Sequence, residues 1–394
     1  MASELTATTQ QGGTYVGNPS RPGVIDFALG QPSPRLLPID VVGKAAGELA
    51  DADRLLLQYG ATRGHGPFLE ALASFLGRRH GVEVPTDHLM ASGAISLSLS
   101  LLSDVFGREA GVVVCEDPTY FLARGIFDSA GLRSVGIPVD TEGLRVDLLA
   151  RRIEAGLRPG FIYLIPTHQN PTGSCLSPAR RDALFELARR WDFVVVADEP
   201  YNLLDFGAGP APLPLAATPG AAGCVVSVGS FTKILGPGLR TGWVHASPDL
   251  LERFAGHGVF RSGGALNPVV SWVIARIIEA GALDRIVDGL VTTLRRRCEV
   301  MCSALTKHIP DLDFVAPEGG YFVWGRFPAG VDTNALRRIA VEEGTSFCPG
   351  SRCTIEADAT NALRLSFAFY EPEEIEEGVR RLALAYGRIG ASID

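Results

Sequence analysis

The chain has 394 residues, 46% hydrophobic and 20% charged, enough to bury a large core and to hold one large domain with a smaller one beside it. Its formal net charge of −8 offers no basic field for nucleic acid, and no uninterrupted apolar run is long enough to span a membrane. Seven cysteines, an odd number with no CxxC pair, point to reduced thiols and a cytoplasmic protein rather than a disulfide framework.

The chain opens on a polar stretch rich in Gly, Pro and Thr that lacks the basic and apolar regions of a signal peptide; residues 1–25 are expected to form a flexible arm. Gly30 follows in Leu29-Gly30-Gln31-Pro32, and Tyr59 sits in the turn-like Gln58-Tyr59-Gly60. Ser92-Gly93-Ala94-Ile95 precedes the apolar, helix-like run 96–102, so the amides of Gly93, Ala94 and Ile95 lie at a helix N-terminus, where an anion is favoured. Short apolar runs at 112–115, 134–138, 161–166, 193–198, 224–228 and 243–246 read as strands. They alternate with helical stretches such as 178–190, where Ser177 is the expected cap and Pro178 the first helical residue. That alternation predicts an α/β fold built on a mostly parallel sheet with helices on both faces.

Three of these strands run into polar groups. Residues 161–166 lead to Thr167-His168-Gln169-Asn170-Pro171-Thr172-Gly173, 193–197 deliver Asp198 with Tyr201 just beyond, and 224–228 lead to Ser230-Phe231-Thr232-Lys233 and on to Arg240. Open α/β sheets place ligands at such strand ends. Lys233 stands out because only three lysines occur among 36 basic residues, and an amine forms a Schiff base where a guanidinium cannot. An amine for an aldehyde, a carboxylate for a pyridine nitrogen and donors for the ring hydroxyl are the groups that pyridoxal phosphate requires. Beyond Asn267-Pro268 a long helical stretch runs to about residue 306. It is followed by a strand at 318–326, a strand-like segment around Arg364 and a terminal helix at 371–386. Cys298 and Cys302 share a helix face and His308 follows, but three loosely spaced groups fall short of a zinc site, and no metal is expected.

The ordered set Gln58-Tyr59-Gly60, Gln169-Asn170-Pro171-Thr172-Gly173, Gly319-Gly320-Tyr321-Phe322-Val323-Trp324 and Arg364-Leu365-Ser366-Phe367 resembles the fold-type I pyridoxal-phosphate aminotransferases of class I/II. The likeness runs colinearly from about residue 26 to residue 388 and is greatest to the branch holding 2-aminoadipate and kynurenine aminotransferases. It implies a large domain, 45–280, with a mostly parallel seven-stranded sheet, and a small α+β domain from 26–44 and 281–394. It also implies exchange of an amino group between an L-amino acid and a 2-oxo acid.

In that resemblance Lys233 carries the Schiff base and moves the substrate proton, Asp198 pairs with the ring nitrogen, Asn170 and Tyr201 reach the ring hydroxyl, and Tyr120 stacks on the ring. Ser230, Thr232 and Arg240 join Gly93, Ala94 and Ile95 around the phosphate. Tyr59 reaches the phosphate of a neighbouring subunit in a homodimer with shared active sites. Arg364 and Gly30, with Asn170, take the substrate carboxylate. Ile95 departs from the family, which commonly has glutamine or a similar polar residue there, so it offers only its backbone amide. Arg35, Arg63 and Arg124 are candidates for selecting a distal carboxylate or are ordinary charges.

Two other readings compete. The same fold serves specialised biosynthetic enzymes that carry out elimination, replacement, oxidation or bond formation on an amino-acid carbanion. Aminotransferase-like domains also act as ligand sensors fused to a helix-turn-helix, but fewer than about 30 residues precede the domain, which leaves no room for that module.

Overall fold

The computed structural model describes residues 23–209 and 211–390, so all but the last three residues of the expected arm lie outside the described residues. Eight strands form the central sheet: β1 Leu89–Ser92, β2 Val112–Asp117, β3 Arg133–Asp140, β4 Gly143–Leu144, β5 Phe161–Leu164, β6 Val194–Asp198, β7 Val225–Ser230 and β8 Gly242–Ala246. Their order is β1-β8-β7-β6-β5-β2-β3-β4. From β7 to β3 the strands run parallel, and β8 lies antiparallel to both of its neighbours. The expected seven strands are thus present, and β4 adds a two-residue hairpin strand at the edge.

The sheet's alternation explains why it is covered on both faces. Val113, Cys115, Tyr163, Val196 and Val228 point into one apolar cluster, while Val114, Ile162, Leu164, Val195 and Ala197 point into the other. Every residue of β5, β6 and β7 is buried, as expected of parallel strands between two helical layers. Because β5, β6 and β7 are adjacent and parallel, their carboxyl ends lie side by side at one edge of the sheet.

The helix at Pro178–Trp191 begins on Pro178 as expected, although the Ser177 side chain makes no cap hydrogen bond. The long helical stretch after Asn267 is not continuous. It forms two helices, Pro268–Glu279 and Ala282–His308, divided at Gly281, whose φ of 64° lies in the left-handed region that glycine tolerates. Beyond it a second, antiparallel sheet of β9 Asp313–Phe314, β10 Phe322–Arg326, β11 Cys348–Pro349 and β12 Ala362–Ser366 has the order β9-β10-β12-β11. The helix Pro372–Gly390 packs on Ala282–His308 and Thr333–Glu342 beside this sheet. Ile25–Asp26 pairs in parallel with Thr345–Ser346, which ties the start of the described chain to this region and carries Gly30 toward the strand ends of the large sheet.

Candidate active site

Lys233 lies in a turn that follows β7, closed by hydrogen bonds from the Phe231 amide to the Thr241 carbonyl and from the Leu235 amide to the Phe231 carbonyl. Its Nζ donates to the Gly30 carbonyl at 2.5 Å and lies 5.2 Å from the centre of the Tyr321 ring. Burial, helped by the Arg364 cation, pushes the Lys233 ammonium down to about 8, against the opposing pull of Asp198. A lysine held there keeps far more of its amine neutral near neutral pH than an ordinary lysine does, as a nucleophile and proton carrier requires.

Asp198 ends β6. Its Oδ2 accepts from the Tyr163 hydroxyl at 2.7 Å, while its Oδ1 is buried with no hydrogen-bond partner. A buried carboxylate oxygen without a donor is costly unless something satisfies it. A protonated pyridine nitrogen supplies that donor, so the residues present fit pyridoxal phosphate.

Burial raises the Asp198 carboxyl to about 7, with Glu199 adding to the rise and the Tyr163 hydroxyl and Lys233 opposing it. In the unfolded chain the same group titrates at its ordinary 3.8, so the folded, cofactor-free protein holds a proton that the unfolded chain releases. The stabilisation from that proton is full below the unfolded value and is lost as pH rises through about 7. Asp198→Asn without cofactor will therefore melt above the native protein at pH 8, and the gap will close below about pH 4. Glu116 and Glu199, raised by burial to about 8 and about 7, are present in both proteins, and loss of the Asp198 charge, which helps to raise Glu116, widens the gap at pH 8 further. Melting curves of the two cofactor-free proteins across this range test it, and a gap independent of pH would contradict it.

Arg364, on β12, is only 2% exposed. Its Nη1 donates to Asn170 Oδ1 at 2.9 Å, its Nη2 to the Ala28 carbonyl at 2.8 Å, and its guanidinium lies 4.2 Å from the centre of the Phe322 ring. Its Nε is buried without a partner. A Cβ on Gly30 would stand 3.1 Å from Phe322 and 3.8 Å from Arg364 Nη2, so the backbone passes close to the guanidinium there. Segments from four parts of the chain, carrying Gly30, Asn170, Lys233 and Arg364, thus converge.

Tyr201 is buried against Tyr321 and Phe322, with ring centroids 5.5 and 6.0 Å away. Tyr120 is half-buried. Burial and the Asp198 charge raise its phenol, with Arg364 and Arg240 opposing, so it lies within the electrostatic reach of all three. The segment before Tyr120 is pinned to a loop from the second sheet: the Thr119 amide donates to the Cys353 carbonyl, and Asp117 accepts from the amides of Ile355, Glu356 and Ala357.

The helix expected beyond Gly93 is present as Ala94–Leu102, with Gly93 as its N-cap. A Cβ on Gly93 would approach Leu97 to 2.7 Å, and Ala94 has a left-handed φ of 65°. Ser230 and Thr232 hydroxyls are 2.7 Å apart, and Arg240 Nη2 donates to Ser96 Oγ at 3.1 Å. Ile95 is half-buried and packs against the core, adding no polar side chain.

Tyr59 does not join this cluster. It is 85% exposed, with its ring near Gly263. The three arginines considered for a distal carboxylate are engaged elsewhere: Arg35 with Glu374, Arg63 with the Asp87 carbonyl and Arg124 with the Thr354 carbonyl. Cys298 and Cys302 do share a helix face, with sulfurs 3.9 Å apart, and among the described residues no group of three or more His, Cys, Asp or Glu could hold a metal ion.

Sequence reasoning passed over several residues that shape the site. Tyr163 reads as one more core residue of an apolar strand, yet it holds Asp198. Glu116 accepts from the Ile165 amide and from Gln169 Nε2, while Gln169 also donates to the Pro118 carbonyl and accepts from Thr172. This buried set fixes the loop that presents Asn170. Ser96, the partner of Arg240, had its signal in the hydroxyl one residue past Ile95 at the helix start.

The profile of the family described as aminotransferase class I and II matches residues 22–382. An aromatic-amino-acid aminotransferase 1 of Thermococcus litoralis is 33% identical over 368 residues, which cover 91% of this chain and 87% of that protein. The crystal structure of a multiple substrate aminotransferase from Thermococcus profundus superposes with a TM-score of 0.87 at 32% identity, covering 95% of this chain and 93% of the other. The alpha-aminoadipate aminotransferase of Thermus thermophilus, complexed with N-(5'-phosphopyridoxyl)-L-leucine, gives 0.81 at 31% identity and covers 94% of both chains. With the likeness spanning nearly the whole length and the strand-end groups in place, this chain belongs to the class I and II aminotransferases.

Proposed function

We propose that the protein uses pyridoxal phosphate to exchange the amino group between an L-amino acid and a 2-oxo acid, in a ping-pong cycle. The observation that carries this reading is the pairing of a lysine amine lowered to about 8 with a buried, unpartnered Asp198 oxygen at neighbouring strand ends. When bound, pyridoxal phosphate supplies an aldehyde for the amino group and a ring that accepts the electron pair released at Cα.

The chain's residues do the rest. Lys233 takes the proton from the substrate Cα and returns it. Asp198, whose buried Oδ1 lacks a donor, would hold the ring nitrogen, Asn170 and Tyr201 would bind the ring hydroxyl, and Tyr120 would pack on the ring. The amides of Gly93, Ala94 and Ile95, with Ser230, Thr232 and Arg240, would hold the phosphate. Arg364 and Gly30 orient the substrate carboxylate. Two of the Arg364 nitrogens now rest on neutral acceptors, and a carboxylate displaces these because charge-assisted, bidentate hydrogen bonds are the stronger. No observation favours elimination, replacement, oxidation or bond formation instead.

The test is stoichiometry. The loaded protein is mixed with single amino acids, and the release of 2-oxo acid and conversion of the cofactor to pyridoxamine phosphate are quantified. One equivalent of each, reversed by an added 2-oxo acid, supports the reading. Retention of the amine with a new or broken bond in the product would sink it.

The assembly belongs to the same proposal: a homodimer in which Tyr59 completes the phosphate site of its partner. Tyr59, Leu57 and Leu55, within five residues of one another in the chain, are exposed at 85, 81 and 71%, apolar surface that a second copy would cover. Sedimentation should show a dimer, and Tyr59→Phe should weaken pyridoxal phosphate binding about tenfold, the loss of one hydrogen bond to a charged group. A monomer, or unchanged cofactor affinity, argues against it.

We further propose the domain division 45–280 against 26–44 with 281–394, supported by the pairing of Ile25–Asp26 with Thr345–Ser346. A cytoplasmic location is supported by seven free cysteines. Among the described residues no helix is long and apolar enough to cross a membrane.

A further inference from the structure

A second cluster of reactive groups sits behind the loop that presents Asn170. His168 is buried, with a left-handed φ of 50°. Its Nε2 lies 3.0 Å from Asp205 Oδ2 and its Nδ1 lies 3.7 Å from Cys175 Sγ, which also accepts from the His168 backbone amide at 3.4 Å. The imidazole is clamped on its other side, because a Cβ on Gly319 would collide with the ring and one on Gly320 would stand 2.9 Å from the His168 Cβ. Asp205 is held in turn by a bridge to Gly319. Thiol, imidazole and carboxylate are thus in line on a fixed frame, and none of them is used by the reaction proposed above.

The electrostatics follow the geometry. Burial alone would lower His168, but the hydrogen bonds to Asp205 and Cys175 outweigh it and raise the imidazole to about 9. Burial would raise the Cys175 thiol, and the hydrogen bond and charge of His168 overcome it, leaving the thiol below its ordinary value with Asp205 opposing. Arg181 is the other charged group that feels the Cys175 sulfur. The remaining six cysteines lack an imidazole partner: Cys115 and Cys224 are pushed up by burial, Cys302 is lowered by its neighbour Cys298, and Cys348, lowered to about 6 by Cys353 and nearby arginines, is only 1% exposed, which closes it to reagents. Cys175 is half-buried rather than sealed in the core.

We propose that Cys175 is a modification site, a thiolate that His168 and Asp205 ionise and orient for attack on a hydroperoxide. The thiolate sulfur attacks one peroxide oxygen, so that an S–O bond forms and the O–O bond breaks. Sulfur gives up two electrons, the peroxide takes them, and the departing hydroxide leaves as water with the proton of the His168 imidazolium, giving a sulfenic acid. The sulfenic acid carries no charge, so the same event removes one of the two anions that hold His168 protonated.

The inference stands apart from the aminotransferase reading and is tested without an activity assay. The full chain, loaded with pyridoxal phosphate, is treated with one equivalent of hydrogen peroxide in the presence of dimedone, and the label is mapped over the seven cysteines. Cys175 should carry most of the label, and Cys175→Ser should lose it. His168→Gln should slow labelling about tenfold and move its pH midpoint upward, and the size-conserving Asp205→Asn should do the same in smaller measure, because losing Asp205 lowers the imidazole whose charge holds the thiolate and this outweighs the loss of its direct repulsion of the sulfur. Native Cys175 should also react faster than the same residue in the urea-unfolded chain, a comparison that needs no variant. Label spread over several cysteines, a native rate no faster than the unfolded one, or rate and pH midpoint untouched by Asp205→Asn would overturn the proposal.

Discussion

Lys233→Ala will lower turnover by at least about 10⁴-fold, the loss expected when a covalent nucleophile that also moves the proton is removed. The fold will not suffer. Lys233 makes its side-chain hydrogen bond to the Gly30 carbonyl, and burial disfavours its charged form, so removing the ammonium relieves a desolvation penalty as it deletes that bond. The thermal midpoint should stay within a few degrees of native. Lys233→Arg should be equally inactive, because a guanidinium is permanently protonated and forms no Schiff base. Steady-state kinetics beside melting curves separate these effects. Residual activity above about 1% in either variant would mean that another group carries the proton.

Arg364→Lys will raise KM for the amino acid about 100-fold, equivalent to about 2.7 kcal/mol, with a smaller fall in kcat. The charge survives, but the two-pronged contact and the stacking on Phe322 do not. Arg364→Ala should bind as poorly and also be less stable by about 1–3 kcal/mol, because Asn170 Oδ1 and the Ala28 carbonyl lose their donors in a buried place. Kinetics with the amino acid and with the 2-oxo acid should shift together, since both substrates present the same carboxylate. A KM unchanged in Arg364→Lys would assign carboxylate recognition elsewhere.

The parallel strands were legible because most are short apolar runs bounded by turn residues, and the groups at their ends follow from where such sheets place ligands. β1 was not, because its four residues lie directly before the glycine read as a helix start, and β4 is too short to carry a pattern. The break at Gly281 was missed because Ala280, Gly281 and Ala282 interrupt neither the apolar periodicity nor the charge pattern on either side; only the left-handed φ shows it. In the site, Lys233, Asp198, Asn170 and Arg364 were readable as residue types in ordered motifs. Tyr163 was not, since a tyrosine in an apolar strand reads as packing until the register places β5 beside β6. His168, Cys175 and Asp205 are 7 and 37 residues apart, and no local pattern joins them.

The register of the central sheet acts as a ruler for the chemistry. Asp198 lies opposite Val228 on β7, and Ala197 lies opposite Leu164 on β5. A slip of β6 by one residue would carry the Asp198 carboxylate about 3.3 Å along the strand and turn it toward the opposite helical layer. One deleted residue inside β6 would thus disable the site even if every named side chain were kept. Descendants of this sequence are free to change the size of the apolar residues that set the alternation, but not their number.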